Sequence, residues 1–438
     1  MASTYLSRSQ SSSNQQIFTI STWVKRADFP ANSYITNIAS DGNNRFGIIW
    51  QAGTLSIYSL TAGIQDIFLN TSAQFRDVSA WYHIVLKIDT TQATASDRAK
   101  LYVNGTQITS FASADYPTQN LNFPTNNTHY IGCFLASNQS FNFSGSMSHY
   151  HYTDGYAYDA STFGEFDAQN VWKPKTAPSV TYGTNGFFLK FANAGSLGTD
   201  SSGNGNNLTV NGTGTQTLDT PSNVFATLNA LLQSGVGTFT NGNLTHSSSS
   251  GIKHTVSTLG MTTGKWYAEA KYTGGANYNG VGFATEPIFP TTSAWYSSPY
   301  NATLTYTNVY NNGSSYGSFA VPNTGDIIGM AIDLDNGYMY WSNNGVWGNS
   351  GVPTSGPTGT GGIATSLIGT LGSSTFFFAT EQDATPGTRT AEWNFGNGYF
   401  GTTAVSTPNA DGDGYGKFEY SVPTGYYALC TKNIQTYG

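Results

Sequence analysis

The segment Glu165-Phe166-Asp167-Ala168-Gln169-Asn170 sets two carboxylates two residues apart, and on a strand that spacing puts both on one face. Sugar hydrolysis needs such a pair, about 5 to 5.5 Å apart for retention of configuration and about 6.5 to 9.5 Å for inversion. Here the segment ends in the amide of Asn170 and runs into a proline-bearing stretch, VWKPKTAPSVTYG, from Val171 to Gly183. The expectation is a polar loop, with Glu165 and Asp167 the catalytic candidates if the chain hydrolyses glycan. His149 and His151 alternate along SHYHYTD with Asp154 close by, and two imidazoles with a carboxylate can bind zinc. A solvated outer strand is the expected setting for them. His83, inside WYHIVLKID, reads as a satisfied structural histidine. No Ser or Cys stands in a nucleophile-elbow context, so no catalytic triad can be assembled.

Aromatic residues offer a second kind of chemistry. SAWYSSPYNATLTYTNVYNNGSSYGSF, from Ser293 to Phe319, sets rings among small polar residues. Flat apolar faces beside adaptable hydrogen-bonding groups suit a sugar or a protein surface. Trp295, Tyr296, Tyr300 and Tyr306 are the candidate ligand-binding residues. No Lys or Arg occurs between Lys271 and Arg389, so recognition through these rings would depend little on salt.

The chain that must position these groups is poor in charge. Asp, Glu, Lys and Arg make 9% of the 438 residues, where about 25% is usual. A formal net charge of -7 with no basic cluster leaves no footprint for nucleic acid or an anionic membrane. No window approaches eighteen consecutive apolar residues, so no membrane insertion by helices is expected. The N-terminal residues contain no apolar run of the secretory type. Cys133 and Cys430 are expected as two buried thiols in different domains.

With 28 Tyr, 26 Phe and 9 Trp, the composition favours strands over disorder. Short alternating runs follow one another: IFTISTWVK, YITNIAS, FGIIW, LSIYSL, WYHIVLKID and AKLYVNG, then GKWYAEAKY, GVGFAT, DIIGMAID, GYMYWS, TFFFAT and RTAEWNFG. The best helix candidate is PSNVFATLNALL, Pro221 to Leu232. Two stretches share a plan, Trp81 to Gly105 and Gly325 to Trp347. Each runs to an Asp, crosses a polar connection, alternates again and ends near Asn-Gly, as a hairpin with a tight turn would. The fold class expected is all-β: two antiparallel β-sandwiches of jelly-roll type joined by a Gly/Pro-rich connector. Trp23, Trp81, Val85, Leu101 and Val103 are expected in one core. Trp266, Phe283, Ile328, Ile332, Tyr340, Trp393 and Phe395 are expected in the other.

FTISTWVK, WYHIVLKID, LYVNGTQI and FSGSMSHYHYTDGYAYDASTF occur in the order seen in laminin-G-like, concanavalin-A-like jelly rolls, and residues 1–178 resemble that family. DSSGNGNNLTVNG, Asp200 to Gly212, resembles the family's opening piece displaced behind the domain, so residues 179–240 form a connector that could complete the first sandwich. GKWYAEAKY, NGVGFAT, the stretch Tyr316 to Trp347 and AEWNFGNGYF resemble the SPRY/B30.2 fold, and residues 241–438 are assigned to it. The first resemblance implies a rim Ca²⁺ held by Asp and backbone oxygens. Asp200, Asn204 and Asn206 could supply hard oxygens, with Asp411 and Asp413 as a second pair. Neither group has EF-hand spacing, and Ca²⁺ takes about six to eight oxygens; otherwise these side chains bond their own turns. No other cofactor is expected. Jelly-roll glucanases carry Glu-x-Asp-x-x-Glu, from which Asn170 departs.

Joined modules of this composition resemble proteins encoded by marine tailed bacteriophages, placed among structural or receptor-binding virion components. The resemblance implies a non-enzymatic virion appendage or decoration protein. Its partners would be a host cell-surface glycan or protein, or other virion proteins, and a homo-oligomer is the usual state for such parts. A glycan depolymerase and a purely structural capsid or tail decoration protein are the alternatives.

Overall fold

The computed structural model describes residues 4–438 apart from 11, 139–140, 235–236, 250, 276–278, 286–297, 370–374 and 384–387. The chain divides into two units, Met1–Gln216 and Thr217–Gly438. Both are built from antiparallel sheets, and among the described residues no helix is long and apolar enough to cross a membrane.

Among the described residues the first unit has an eight-stranded and a six-stranded sheet. The larger runs Phe111–Asp115, Ile64–Thr71, Thr54–Thr61, Arg45–Gln51, Ser33–Ala39, Thr128–Ile131, Tyr5–Arg8, Thr209–Asn211. The smaller runs Phe187–Leu189, Gly145–Asp154, Ile17–Arg26, Trp81–Asp89, Ala99–Val103, Thr106–Gln107. Period-two alternation sends Phe46, Ile48 and Trp50 from one sheet, and Ile84, Leu86 and Ile88 from the other, into one shared core. The expected boundary at residue 178 moves. Phe187–Leu189 pairs with Gly145–Asp154, and Thr209–Asn211 pairs with Tyr5–Arg8, so the intended connector is divided between the units. The reason is edge pairing: both outer strands would otherwise leave backbone donors and acceptors open.

The six-stranded sheet is buried on both faces. Leu101 and Val103 lie between the sheets as expected, but Val85 packs on the opposite face with Tyr102, Ala160 and Phe163. The covering layer is the chain after Asp154, including the hairpin Gly164–Phe166 and Trp172–Pro174. Trp23 also lies under that layer, stacked on His83 at 4.6 Å between centroids. Trp172 donates its indole N–H to His83 Nδ1 at 2.9 Å, so Nε2 carries the proton and donates to Ser21 Oγ at 2.9 Å. This is the satisfied histidine expected from the sequence. The solvated strand expected for His149 and His151 is corrected by the same layer. His151 is buried, stacked on Phe188 at 3.9 Å and bonded to the Tyr182 hydroxyl.

The second unit places a seven-stranded against a nine-stranded sheet among the described residues. The latter is antiparallel except where Tyr427–Ala428 runs parallel to Lys265–Gly274. Trp266, Phe283, Ile328, Ile332, Trp393 and Phe395 share the core between them. Tyr340, expected there too, lies on the outer face of the larger sheet with Tyr267, sealed by Phe418 and Tyr426 from the C-terminal segment. The helix expected over Pro221 to Leu232 is instead extended chain ending in the strand Leu228–Ser234. Its backbone bonds distant partners, Ala226 N–H to the Leu429 carbonyl and Leu228 N–H to that of Asn243, and tertiary pairing overrides a weak local preference. Cys133 and Cys430 are both buried and free.

The repeated plan is one local device used twice. Asn104 and Gly105 have φ of 49° and 80°, and Asn344 and Gly345 the same values, the left-handed pair of a two-residue hairpin turn. Each Asn side-chain oxygen then accepts the N–H of the residue just before the neighbouring strand's first paired residue, His83 or Ile327.

One buried carboxylate joins the C-terminal segment to the nine-stranded sheet. Glu269 accepts the backbone N–H groups of Glu419 and Tyr420, both at 2.9 Å, and hydrogen bonds from Tyr267 and Asn394. Burial pushes its carboxyl from 4.5 up to about 7, so its share of stability is complete below about pH 4.5 and is lost as pH rises through 7. Burial lowers His83, His129 and His246 from 6.5 to about 3. Their share is complete above about pH 6.5 and is lost as pH falls toward 3. In a histidine NMR titration from about pH 8 to pH 5, the ring signals of these three should hold their neutral positions. A midpoint near 6.5 for any of them would contradict this burial.

Candidate functional site

The outer face of the eight-stranded sheet in the first unit carries a hollow of about 480 Å³. The alternation that sends Phe46, Ile48 and Trp50 inward turns Arg45, Gly47, Ile49 and Gln51 outward. Tyr58, Gln65 and Phe68 line the next two strands, and Tyr34 and Asn32 the strand beyond. Phe134 and Phe141, from the segment between Thr128–Ile131 and Gly145–Asp154, close one wall. Tyr34, Ile49 and Phe134 are the buried floor; Tyr58 and Phe141 are half-buried around it. Tyr58 meets Phe68 edge to face at 5.9 Å, and Phe134 meets Phe141 similarly at 5.9 Å.

A close approach explains Gly47. A Cβ there would sit 3.1 Å from the Tyr34 ring and 3.2 Å from the side-chain oxygen of Asn37. The edge of the Tyr34 ring therefore packs against Gly47, and Tyr34 forms part of the hollow's buried base. Arg45 places its guanidinium 5.2 Å from the centre of the Tyr58 ring and 5.1 Å from that of Phe134, within range of cation–π attraction. Its Nη1 donates to the Gly42 carbonyl at 2.6 Å, while Nε is buried without a hydrogen-bond partner. Burial raises the Tyr34 hydroxyl above its ordinary value, and the Arg45 charge opposes that rise. A concave surface of rings, amides and one cation can hold a small polar ligand that has an apolar face.

The residues singled out from sequence lie elsewhere. Glu165 is exposed on the short hairpin that covers the six-stranded sheet. Asp167 caps its own turn through Gln169 and Val171 N–H and pairs with Lys173 at 2.6 Å. The Lys173 hydrogen bond, with those backbone donors, holds the Asp167 carboxyl below the usual range. The Asp154 carboxylate accepts from Asn14 and Asn185, away from a shared centre with His149 and His151, whose spacing is broken by a bulge.

The calcium candidates act as turn organisers. Asp200 accepts the N–H groups of Phe188, Ser202 and Asn206 and the Ser202 hydroxyl. Asn204 and Asn206 turn their side-chain nitrogens toward the carbonyls of Gly183, Thr184 and Gly186. Nitrogen donors facing carbonyls do not make an oxygen shell, so this set does not fit Ca²⁺. Asp411 accepts from Gly416 and Ala428 N–H and from Asn433, and Asp413 accepts from the Tyr437 hydroxyl. Among the described residues no group of three or more His, Cys, Asp or Glu is placed to hold a metal.

Trp295 and Tyr296 lie outside the described residues. Tyr300 is half-buried just before the strand Asn301–Thr305, and Tyr306 is exposed in the turn after it with φ of 56°. The strand Asn301–Thr305 lies between these two residues. The hollow on the eight-stranded sheet was missed from sequence. The signal was there in FGIIWQ, LSIYSL and IQDIFLN, where Ile49, Tyr58 and Phe68 set apolar groups on the face opposite the core.

Residues 2–155 match the profile described as the Concanavalin A-like lectin/glucanases superfamily, a span that includes every residue lining the hollow. No curated protein matches the chain. Among solved structures, the SPRY domain of human HERC1 is 13% identical, over 38% of this chain and 96% of that one, with a TM-score of 0.28. A heptameric SAP-like pentraxin from Limulus polyphemus is 15% identical, over 36% of this chain and 72% of that one, at 0.29. Domain 4 of AbnA, a GH43 extracellular arabinanase of Geobacillus stearothermophilus in complex with arabinotriose, is 19% identical, over 34% and 64%, at 0.26.

Gly47→Ala tests the packing beneath the hollow. The added methyl should displace the Tyr34 ring and lower stability by about 1 to 3 kcal/mol, read from urea unfolding. An unchanged midpoint would show that the ring has room to move.

Proposed function

We propose that this protein is a non-enzymatic binding component of a tailed-bacteriophage virion, on an appendage or on the particle surface, and that it holds a host-surface glycan in the hollow of its first unit. The observation that carries the reading is the hollow's chemistry. The rings of Tyr58 and Phe68 stand beside the amides of Asn32, Gln51 and Gln65, and a pyranose presents the matching pair, an apolar C–H face and a rim of hydroxyls. The family matched over residues 2–155 is described by lectins and glucanases together. Binding is favoured over hydrolysis because among the described residues no carboxylate lines the hollow, whereas glycoside cleavage uses a pair. The virion setting rests on the resemblance of the whole chain's composition and module order to phage-encoded proteins.

The test is a glycan array with the full chain, followed by titration of the best ligand into wild type and Tyr58→Ala. Loss of the ring should weaken binding by about tenfold or more, with unfolding measured alongside. Absence of any saccharide ligand would leave a purely structural decoration protein as the better reading. Reducing-sugar release that disappears in Glu165→Gln would make the chain a depolymerase. Antibodies against the chain should decorate intact phage particles.

A further inference from the structure

We infer that the hollow selects an acidic sugar, a uronate-type residue whose carboxylate pairs with Arg45 while its ring face lies against the aromatic wall. The inference rests on the glycan-binding reading above and narrows it to one ligand class. Arg45 lines the hollow and, among the described residues, is the one charged side chain in that lining. Its guanidinium is fixed by the Gly42 carbonyl and by the faces of Tyr58 and Phe134. A guanidinium offers five N–H donors, and among the described residues its only hydrogen bond is the one to Gly42.

Acidic side chains of the same sheet and its turns bond groups other than Arg45. Asp66 accepts from Ser59 and Thr61, Asp41 from Asn43 and Asn44, and Asp115 from Gln65. No ion pair to Arg45 occurs among the described residues. The cation therefore stands in an apolar, concave setting; its Nε is buried, and the donors left for a ligand are those of the terminal nitrogens that Gly42 does not engage. Low local dielectric strengthens its attraction for an incoming anion, and a planar fork suits a carboxylate better than it suits a spherical charge. The amides of Gln51 and Asn32, in contact at 3.4 Å, are a weak mutual bond that ligand hydroxyls can replace.

The probe is tri-galacturonate, titrated calorimetrically against the full chain beside its methyl ester, a neutral galactan trisaccharide and a sulfated galactan trisaccharide. Wild type should bind the free acid about tenfold or more tightly than the ester or the neutral sugar. Arg45→Gln should bring the acid down to the neutral level, and Arg45→Lys should recover part of the difference. The ester alters only the ligand, so its result stands if Arg45→Gln fails to fold. Equal affinity for acid and neutral sugars, or preference for the sulfated one, overturns the uronate assignment and leaves glycan binding in place. Binding of the acid that Arg45→Gln does not change places the site elsewhere and also overturns it. No binding of any saccharide overturns this inference and the proposed function together.

Discussion

The constraint on which this structure depends is that a chain with few charges must cover broad sheets on both faces. Only 9% of its residues are charged, so the outer faces of the sheets cannot be clothed in Lys and Glu as a solvated β-sheet usually is. In the first unit the chain after Asp154 folds over the six-stranded sheet and buries His83, Val85, Tyr102 and His151 beneath Trp172, Phe163 and Tyr182. In the second unit the C-terminal segment does the same for Tyr267 and Tyr340. Each unit thus has a third layer, and in the first the aromatic hollow lies on the sheet that this layer does not cover.

Burying so much backbone requires polar side chains as internal connectors. Asp200 and Asp411 gather N–H groups from their own turns and an adjoining strand, and Glu269 from the distant segment at Glu419 and Tyr420. A carboxyl group answered by several donors ties together the segments that supply them, because each buried donor would otherwise be left unpaired. These residues hold an added strand, a loop and a covering segment in place. Carboxylates that from their spacing resemble metal ligands are consumed in that work. The histidines follow the same logic in reverse: His83 stays neutral because it is buried between two indoles with both ring nitrogens engaged.

The hollow differs from these places because its polar groups are less fully answered. Arg45 makes one hydrogen bond, to a carbonyl, and otherwise meets two rings, and the Gln51 side-chain nitrogen meets Asn32 only at 3.4 Å while its oxygen accepts from Ser56. Polar groups left short of partners in a concave, apolar surround are the features a ligand can complete.

Local patterning determined the strands, the two-unit plan and the paired Asn-Gly hairpins, because period-two alternation and left-handed turn residues act within a few positions. It also separated the two sets of buried residues: Leu101 and Val103 from Trp266 and Trp393. Patterning could not say which buried face was which. His83, Val85 and Tyr340 alternate with core residues, and only the segments folded over them decide that their side is sealed. The helix read at Pro221 to Leu232 became extended chain because Leu429 and Asn243 supply its hydrogen bonds. The hollow, likewise, draws on four strands and a loop spread from Asn32 to Phe141. No window of sequence contains it, and its existence depends on strand register and on Gly47 admitting the Tyr34 ring, both of which are set by tertiary packing.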